Sequence, residues 1–295
     1  MDMLEAPAAP GTLDAEAIAF YRREGYVLAR GVVGRRLVSA AIEAISGLAS
    51  GRIPARATEI AFEPGHDGAR LPPEAREAHI RKFARFIEDS EALRAVAMSR
   101  ALHRILDQLL GEGRELLQDM ALIKPPHVGG AKPWHQDAGY FRVRDPGLVV
   151  GVWIALDPAL RENGCMQVIP RSHAEGPVPH LPAEDVNLCT IGPENLRLED
   201  RVFVEMAPGD ALIFHPLLHH YTAPNDSDLR RRALQFHFNQ TGTVWTDLDA
   251  HRGLFHHADG SYAGCTVPKH KLAAGEAPHW PDGRKLPVVP VEDWV

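Results

Sequence analysis

Apolar residues along the first third of the chain recur at helical spacing. Leu37, Ala41, Ile45 and Leu48, with Val38 and Ile42 beside them, form one stripe, and Leu102, Ile105, Leu106 and Leu109 form a second over 100–110. Gly111 stands where a left-handed cap would end that second helix. The stretch between them, 52–76, is rich in Pro, Gly and Arg and reads as a long surface loop. Past Glu115 the period shortens. Short runs at 116–124, 148–156, 165–169, 201–206, 211–214 and 231–238, divided by Pro146-Gly147 and Pro208-Gly209-Asp210, read as strands. Helices followed by a series of short strands predict an α+β, mainly β chain. Its core is a double-stranded β-helix (jelly roll, cupin-like), with N-terminal helices packed on one sheet. The expected division is a flexible N-terminus over 1–12 and one domain over 13–295. Within it, 13–114 is mostly helical support, 115–240 the jelly-roll core and 241–295 a C-terminal extension. The Pro-rich stretch 177–200 reads as an insertion between strands, of the kind that shapes a substrate entrance.

Alternation inside the strands separates two environments. In 231–238, Leu234, Phe236 and Phe238 share one face, while Arg231, Ala233, Gln235 and His237 share the other. A face covered by helices would be apolar. The face carrying Arg, Gln and His therefore suits a polar barrel interior, where an anion could sit. Met120, Leu122 and Lys124 likewise share a face, and His135 and Asp137 point the same way while Gln136 points away.

That polar interior gives meaning to Trp134-His135-Gln136-Asp137 and to His215-Pro216-Leu217-Leu218-His219-His220, with Arg231 eleven residues beyond His220. His-x-Asp with a distant His supplies one octahedral face of a non-haem Fe(II), leaving the other positions open. An Arg downstream can pair bidentately with a carboxylate bound near the metal. Spacing alone leaves His215, His219 and His220 open as the distal ligand. Alternation predicts that Arg230 and Arg232 face outward on either side of Arg231.

Apolar content of 45% and charged content of 24% are ordinary globular values, and the net charge of −7 argues against nucleic acid as a partner. Cys165, Cys189 and Cys265 are odd in number and scattered, showing neither metal spacing nor a disulfide framework, which points to a reducing cytoplasm. Residues 1–12 lack the basic and apolar regions of a signal peptide, and no apolar run is long enough to span a membrane. The expectation is a cytoplasmic monomer or homodimer with a small-molecule substrate and no membrane partner.

Several stretches carry a family resemblance. They are the segment Phe20 to Val27, Lys124-Pro125-Pro126-His127-Val128-Gly129-Gly130, Trp134 to Asp137, Gly151-Val152-Trp153-Ile154-Ala155-Leu156-Asp157 and Glu162-Asn163-Gly164-Cys165-Met166. Ile169-Pro170-Arg171-Ser172-His173, Pro208-Gly209-Asp210 and His220 through Arg231 continue the series. Together they resemble the phytanoyl-CoA dioxygenase family of Fe(II)/2-oxoglutarate-dependent oxygenases, nearest the branch of phytanoyl-CoA dioxygenase domain-containing proteins. In that pattern the distal His is followed by a hydroxyl residue, Asn, Ser and Arg, which fall here on His220, Thr222, Asn225, Ser227 and Arg231, so the resemblance selects His220.

The resemblance implies a dioxygenase that uses Fe(II), 2-oxoglutarate and O2 and releases succinate and CO2. His135, Asp137 and His220 would be its catalytic metal ligands. Co-substrate contacts would come from Arg231, Thr222, Trp153, Met120 and Lys82. Asp137 stands where related halogenases carry a small residue, which favours hydroxylation or another oxidation over halogenation. Arg171 replaces the glycine of the usual Pro-Gly-Ser-His turn and reads either as a residue facing the site or, with somewhat more weight, as a surface turn residue. Candidate substrate-lining residues are His127, Tyr140, Phe141, Arg142, Gln235 and His237. A CoA thioester would call for a basic phosphate-binding rim, and the acidic chain favours a small metabolite or natural-product intermediate instead. Two other readings compete: a cupin-type metalloenzyme that does not use 2-oxoglutarate, and a non-catalytic binding protein of the same fold. Arg231 and Trp153 weigh against the first and the intact triad against the second.

Overall fold

The computed structural model describes residues 5–6, 11–183 and 189–265. Its helices are α1 (Ala15–Glu24), α2 (Arg35–Ser50), α3 (Glu91–Ala97), α4 (Arg100–Leu110) and α5 (Leu248–Leu254). Its strands are β1 (Glu5–Ala6), β2 (Tyr26–Ala29), β3 (Glu59–Phe62), β4 (Ile80–Ala84), β5 (Arg114–Lys124), β6 (Lys132–His135) and β7 (Val149–Ala155). They continue with β8 (Met166–Val168), β9 (His180–Pro182), β10 (Cys189–Ile191), β11 (Val202–Val204), β12 (Ala211–Phe214), β13 (His220–Thr222) and β14 (Arg231–Gln240). A major sheet runs β1-β2-β12-β7-β14-β5-β4-β3 and a minor sheet runs β11-β8-β13-β6. These are the two sheets of a double-stranded β-helix, as the strand pattern predicts.

Alternation along β14 builds the two sides of the major sheet. Leu234, Phe236 and Phe238 lie in the main core with Leu102, Ile105 and Leu106 of α4 and Ile45 and Leu48 of α2. Burying each such side chain contributes roughly 1.5–3 kcal/mol, so the helical stripes and the apolar face of the sheet hold one another. Helix α4 begins at Ser99, whose hydroxyl accepts from Leu102 N, and covers the expected residues. Gly111 ends it with φ 79° but ψ −176°, so the cap is positive-φ without being left-handed helical.

The first third holds more strand than its helical stripes suggest. β2 is a four-residue run buried at every position and pairs with β12 inside the sheet. A short run buried on both sides carries no alternation to read. The expected surface loop 52–76 contains β3, which pairs with β4 at the sheet margin and alternates exposed with half-buried residues. Its Pro and Gly neighbours mask that alternation.

The expectation of no disulfide is overturned. Cys189 and Cys265 are bonded, with Cα atoms 6.1 Å apart and a separation of 76 positions in sequence. That separation leaves no spacing signal, and only the fold brings the two together. Cys165 is free and buried. The bond ties β10, within the predicted insertion 177–200, to the chain beyond α5. Residues 184–188 of that insertion, most of 1–12, and 266–295 of the expected C-terminal extension lie outside the described residues. Among the described residues, no helix is long and apolar enough to cross a membrane.

Candidate active site

The three expected ligands meet between the sheets. β6 and β13 pair antiparallel with His220 opposite His135, so the two imidazoles stand side by side at 4.0 Å between centroids. Asp137 follows β6 in a single tight turn, its chain tied to the other side by Ala138 N donating to Pro216 O at 2.9 Å. The ligand-capable atoms of His135, Asp137 and His220 all lie within 4.8 Å of one another and all three residues are buried. Nε2 of His135 is 3.3 Å and Nε2 of His220 is 3.6 Å from Asp137 Oδ1.

The remaining atoms of these side chains are already bonded. His135 Nδ1 lies 2.7 Å from Pro133 O and His220 Nδ1 lies 2.9 Å from Leu218 O, so each Nδ1–H is donated and each Nε2 lone pair is free. Asp137 Oδ2 accepts from Gln235 Nε2 at 3.0 Å and from His237 Nε2 at 2.8 Å. His237 Nδ1 is buried with no hydrogen-bond partner among the described residues. Two imidazole nitrogens and one carboxylate oxygen thus converge with nothing else to do, while their outer atoms are fixed. That donor set fits a divalent first-row metal with open positions.

Electrostatics keep the set in ligand form. Burial, the neighbouring His220 and Lys132 hold His135 well below the usual imidazole range. Burial alone would raise the Asp137 carboxyl, but His220, His237 and the hydrogen bonds around it hold it well below the usual carboxylate range. Gln136 points away from the triad as predicted, donating to Gly176 O and Leu217 O and accepting from Val178 N. His215 and His219 stay out of the cluster. Burial depresses His219 to about 3 and His215 to about 4.

Clearance behind the triad depends on a missing methyl group. Gly151 of β7 faces the Phe214 ring, and a Cβ there would lie 2.4 Å from it. The same ring stands 5.2 Å from His220 and 6.1 Å from His237 between centroids.

Arg231 enters the same cavity from the first position of β14, opposite Lys124 of β5. The turn before it explains the spacing from His220. Asn225 Nδ2 donates to Lys124 O and Leu229 O, and Ser227 Oγ donates to Asn225 Oδ1, which pins the connection between β13 and β14. Arg230 and Arg232 turn outward as alternation predicts and pair with Glu77, while Arg232 also pairs with Asp157. Arg231 is 2% exposed and has no carboxylate partner among the described residues. Its Nη1 donates to Leu122 O at 3.2 Å, its Nε has no partner, and the guanidinium lies 5.3 Å from the Trp153 ring centroid. Burial pushes it down only to about 10, so it stays charged at neutral pH. Trp153 Nε1 is also buried and unpartnered.

The cavity holding these groups measures about 920 Å³ and is lined by the triad together with Lys82, Met120, Trp153, Thr222 and Arg231. Of the residues expected to contact substrate, Tyr140, Phe141 and Gln235 also line it. His237 sits behind Phe141, 4.6 Å away between ring centroids. His127 is exposed at positive φ (57°) and bonds Asp228 at 2.8 Å, and Arg142 is exposed, so neither lines the cavity. Arg171 adopts φ 67°, the conformation that explains a glycine in the usual turn, and pairs with Glu24 at 2.9 Å away from the cavity. Sequence reasoning missed Arg81 and Lys132 of the lining. Both lie in strands of four or five residues, too short for a periodic signal.

A double-stranded β-helix with a buried two-histidine, one-carboxylate centre is the class of protein this fold and site define. A family model described as Phytanoyl-CoA dioxygenase (PhyH) matches residues 21–233, and the chain belongs to the phytanoyl-CoA dioxygenase family. Phytanoyl-CoA dioxygenase domain-containing protein 1 of Danio rerio is 36% identical over 142 residues, covering 44% of this chain and 47% of the relative. The chain thus spans about half the length of that relative in the match. The fold is shared with EctD from S. alaskensis with bound Fe, at TM-score 0.64 and 18% identity over 83% of each chain. It is also shared with EvdO2 from Micromonospora carbonacea complexed with 2-oxoglutarate, at TM-score 0.59 and 21% identity over 85% of this chain and all of the other.

Proposed function

We propose that the protein is an Fe(II)- and 2-oxoglutarate-dependent dioxygenase that hydroxylates an unactivated C–H bond of a small metabolite or natural-product intermediate. The observation that carries this reading is a buried, charged Arg231 without a carboxylate partner among the described residues, in the same cavity as three metal-ready ligands. A buried cation is costly until an anion meets it, and a planar guanidinium matches a carboxylate. A cupin-type centre working without 2-oxoglutarate has no use for such a group.

When bound, Fe(II) and 2-oxoglutarate supply the oxidising chemistry with O2, and succinate and CO2 leave. The chain supplies position. His135 and His220 offer Nε2 because their Nδ1 protons are committed to backbone carbonyls. Asp137 offers Oδ1 alone because Gln235 and His237 hold Oδ2. Arg231 takes the distal carboxylate of 2-oxoglutarate, with Thr222 beside it, and Trp153, Met120 and Lys82 line its path. Two proteins of the same fold support the cofactor pair, since EctD binds Fe and EvdO2 binds 2-oxoglutarate.

Anaerobic titration tests the proposal. Adding 2-oxoglutarate to the Fe(II)-loaded protein should raise a weak visible charge-transfer band that saturates at one equivalent. A folded protein that never develops the band would sink the reading.

A further inference from the structure

Two of the three metal ligands stand on strands and the third does not. His135 ends β6 and His220 begins β13, and those strands pair with one another. Asp137 opens a turn of only three residues, Asp137–Gly139, that belongs to neither sheet. Gln235 and His237 hold its side chain, so its backbone must be held from elsewhere.

The chain after β14 supplies much of that hold. His251 of α5 donates from Nε2 to Ala138 O at 3.2 Å, and its Nδ1 accepts from the Tyr262 hydroxyl at 2.9 Å. Cys265 N donates to Gly139 O at 2.8 Å. Ala138, Leu217 and Phe255 pack into one small apolar cluster. The Cys189–Cys265 bond reaches the same residues. A Cβ on Gly139 would lie 3.5 Å from Cys265 Sγ and 3.2 Å from the His180 ring. Cys189 Sγ lies 3.1 Å from the Tyr140 hydroxyl, and the Tyr140 ring packs edge-on to His135 at 5.9 Å between centroids. The two cysteines thus grip the residues that follow Asp137, one at Gly139 and the other at Tyr140. Both α5 and Cys265 lie outside residues 21–233, the span of the family match. A covalent tie across 76 positions removes far more chain freedom than the two hydrogen bonds beside it.

We propose that the Cys189–Cys265 bond positions the Asp137 turn and makes metal binding at the triad depend on the thiol redox state of the protein. Cys189 is buried and Cys265 half-buried, so an external dithiol reaches Cys265 first. Its thiolate attacks Cys265 Sγ, and Cys189 leaves as a thiolate and takes a proton. The second thiol of the reagent then closes on the first, releasing Cys265 as a thiol. Two electrons pass to the protein, and the dithiol becomes a cyclic disulfide. The turn keeps its hydrogen bonds to His251 and Cys265 but loses its covalent tie, and Asp137 is held less closely to the two imidazoles. The inference rests on the triad binding a divalent metal, as the proposed function requires.

Co(II), whose visible bands report its coordination, is the probe. It is titrated anaerobically into the oxidised protein and into protein reduced with dithiothreitol and then freed of it by gel filtration. Reduction should weaken Co(II) binding at least about tenfold, the size of effect expected when the support of a ligand is lost. Cys189→Ser/Cys265→Ser should bind as weakly as the reduced parent and ignore dithiothreitol. In metal-free protein, hydrogen exchange at the amides of Ala138, Gly139 and Tyr140 should quicken at least about tenfold on reduction, while β13 and β14 keep their protection. Equal Co(II) affinity or equal exchange in the two states would overturn the inference, as would a response that survives in the double variant. Loss of protection throughout β13 and β14 would also overturn it, by making the bond a staple of the whole fold. Failure of the underlying reading looks different: the oxidised parent takes up no Co(II), whereas exchange at 138–140 in metal-free protein still answers to dithiothreitol.

Discussion

Asp137 and Arg231 stand in one cavity, are both buried, and carry opposite charges, yet the protein treats them differently. Asp137 Oδ2 receives two hydrogen bonds and Oδ1 faces two imidazole nitrogens. Arg231 has one long bond to a carbonyl and an aromatic ring for company. The acid is finished by the protein apart from one lone-pair direction, and the base is left open toward the cavity. That contrast is what the proposed function calls for: a metal at the first charge and an exchangeable anion at the second.

The sharpest way to break that contrast is to remove the open charge. Arg231→Met should weaken 2-oxoglutarate binding at least about 100-fold, as expected for losing a charge-assisted bidentate pair worth roughly 3 kcal/mol, while Fe(II) affinity changes little. The same variant should melt no lower than the parent in the absence of ligands, because an uncompensated buried cation has been taken out. Equal losses of metal and co-substrate, seen by parallel titrations, would show that the two ends are one unit.

Removing a donor from the finished charge should act in the opposite sense. His237→Phe leaves Asp137 Oδ2 with one bond fewer and should cost roughly 1–3 kcal/mol of stability, read from urea denaturation of the metal-free protein, together with weaker Fe(II) binding. Unchanged stability would mean that Asp137 is held by its own turn and not by β14.

Acid should separate the two ends more gently. Burial depresses His180 and His219 to about 3 and His215 to about 4, against about 6.5 in an unfolded chain. Between those values the unfolded state binds more protons, so the stability due to these rings is fully present above pH 6.5 and falls as the pH drops toward 4 and 3. His180 accepts from Gln136 N and His219 adjoins a ligand, so the triad end should loosen first while Arg231 stays charged. Urea midpoints at pH 7.5, 6, 5 and 4 should decrease monotonically, and a flat series would contradict it.

The site was more legible in the sequence than the sheet that carries it. Alternation along β14 put Arg231, Gln235 and His237 on one face because a strand has period two, whatever surrounds it. The choice among His215, His219 and His220 could not come from spacing, since it depends on which residue pairs opposite His135 across two strands. β2 was hidden because a strand buried on both faces has no polar positions to alternate. The disulfide and Lys132 were hidden for a related reason: each acquires its neighbours only when distant segments close on one another.

Gly151 lets the Phe214 ring settle against β7 while the same ring borders His220 and His237. In engineering terms position 151 is a tolerance on the metal centre. The distance between the floor of the major sheet and the imidazoles is set by a side chain that is not there, so the centre's geometry is governed in part by a residue that touches neither metal ligand nor substrate.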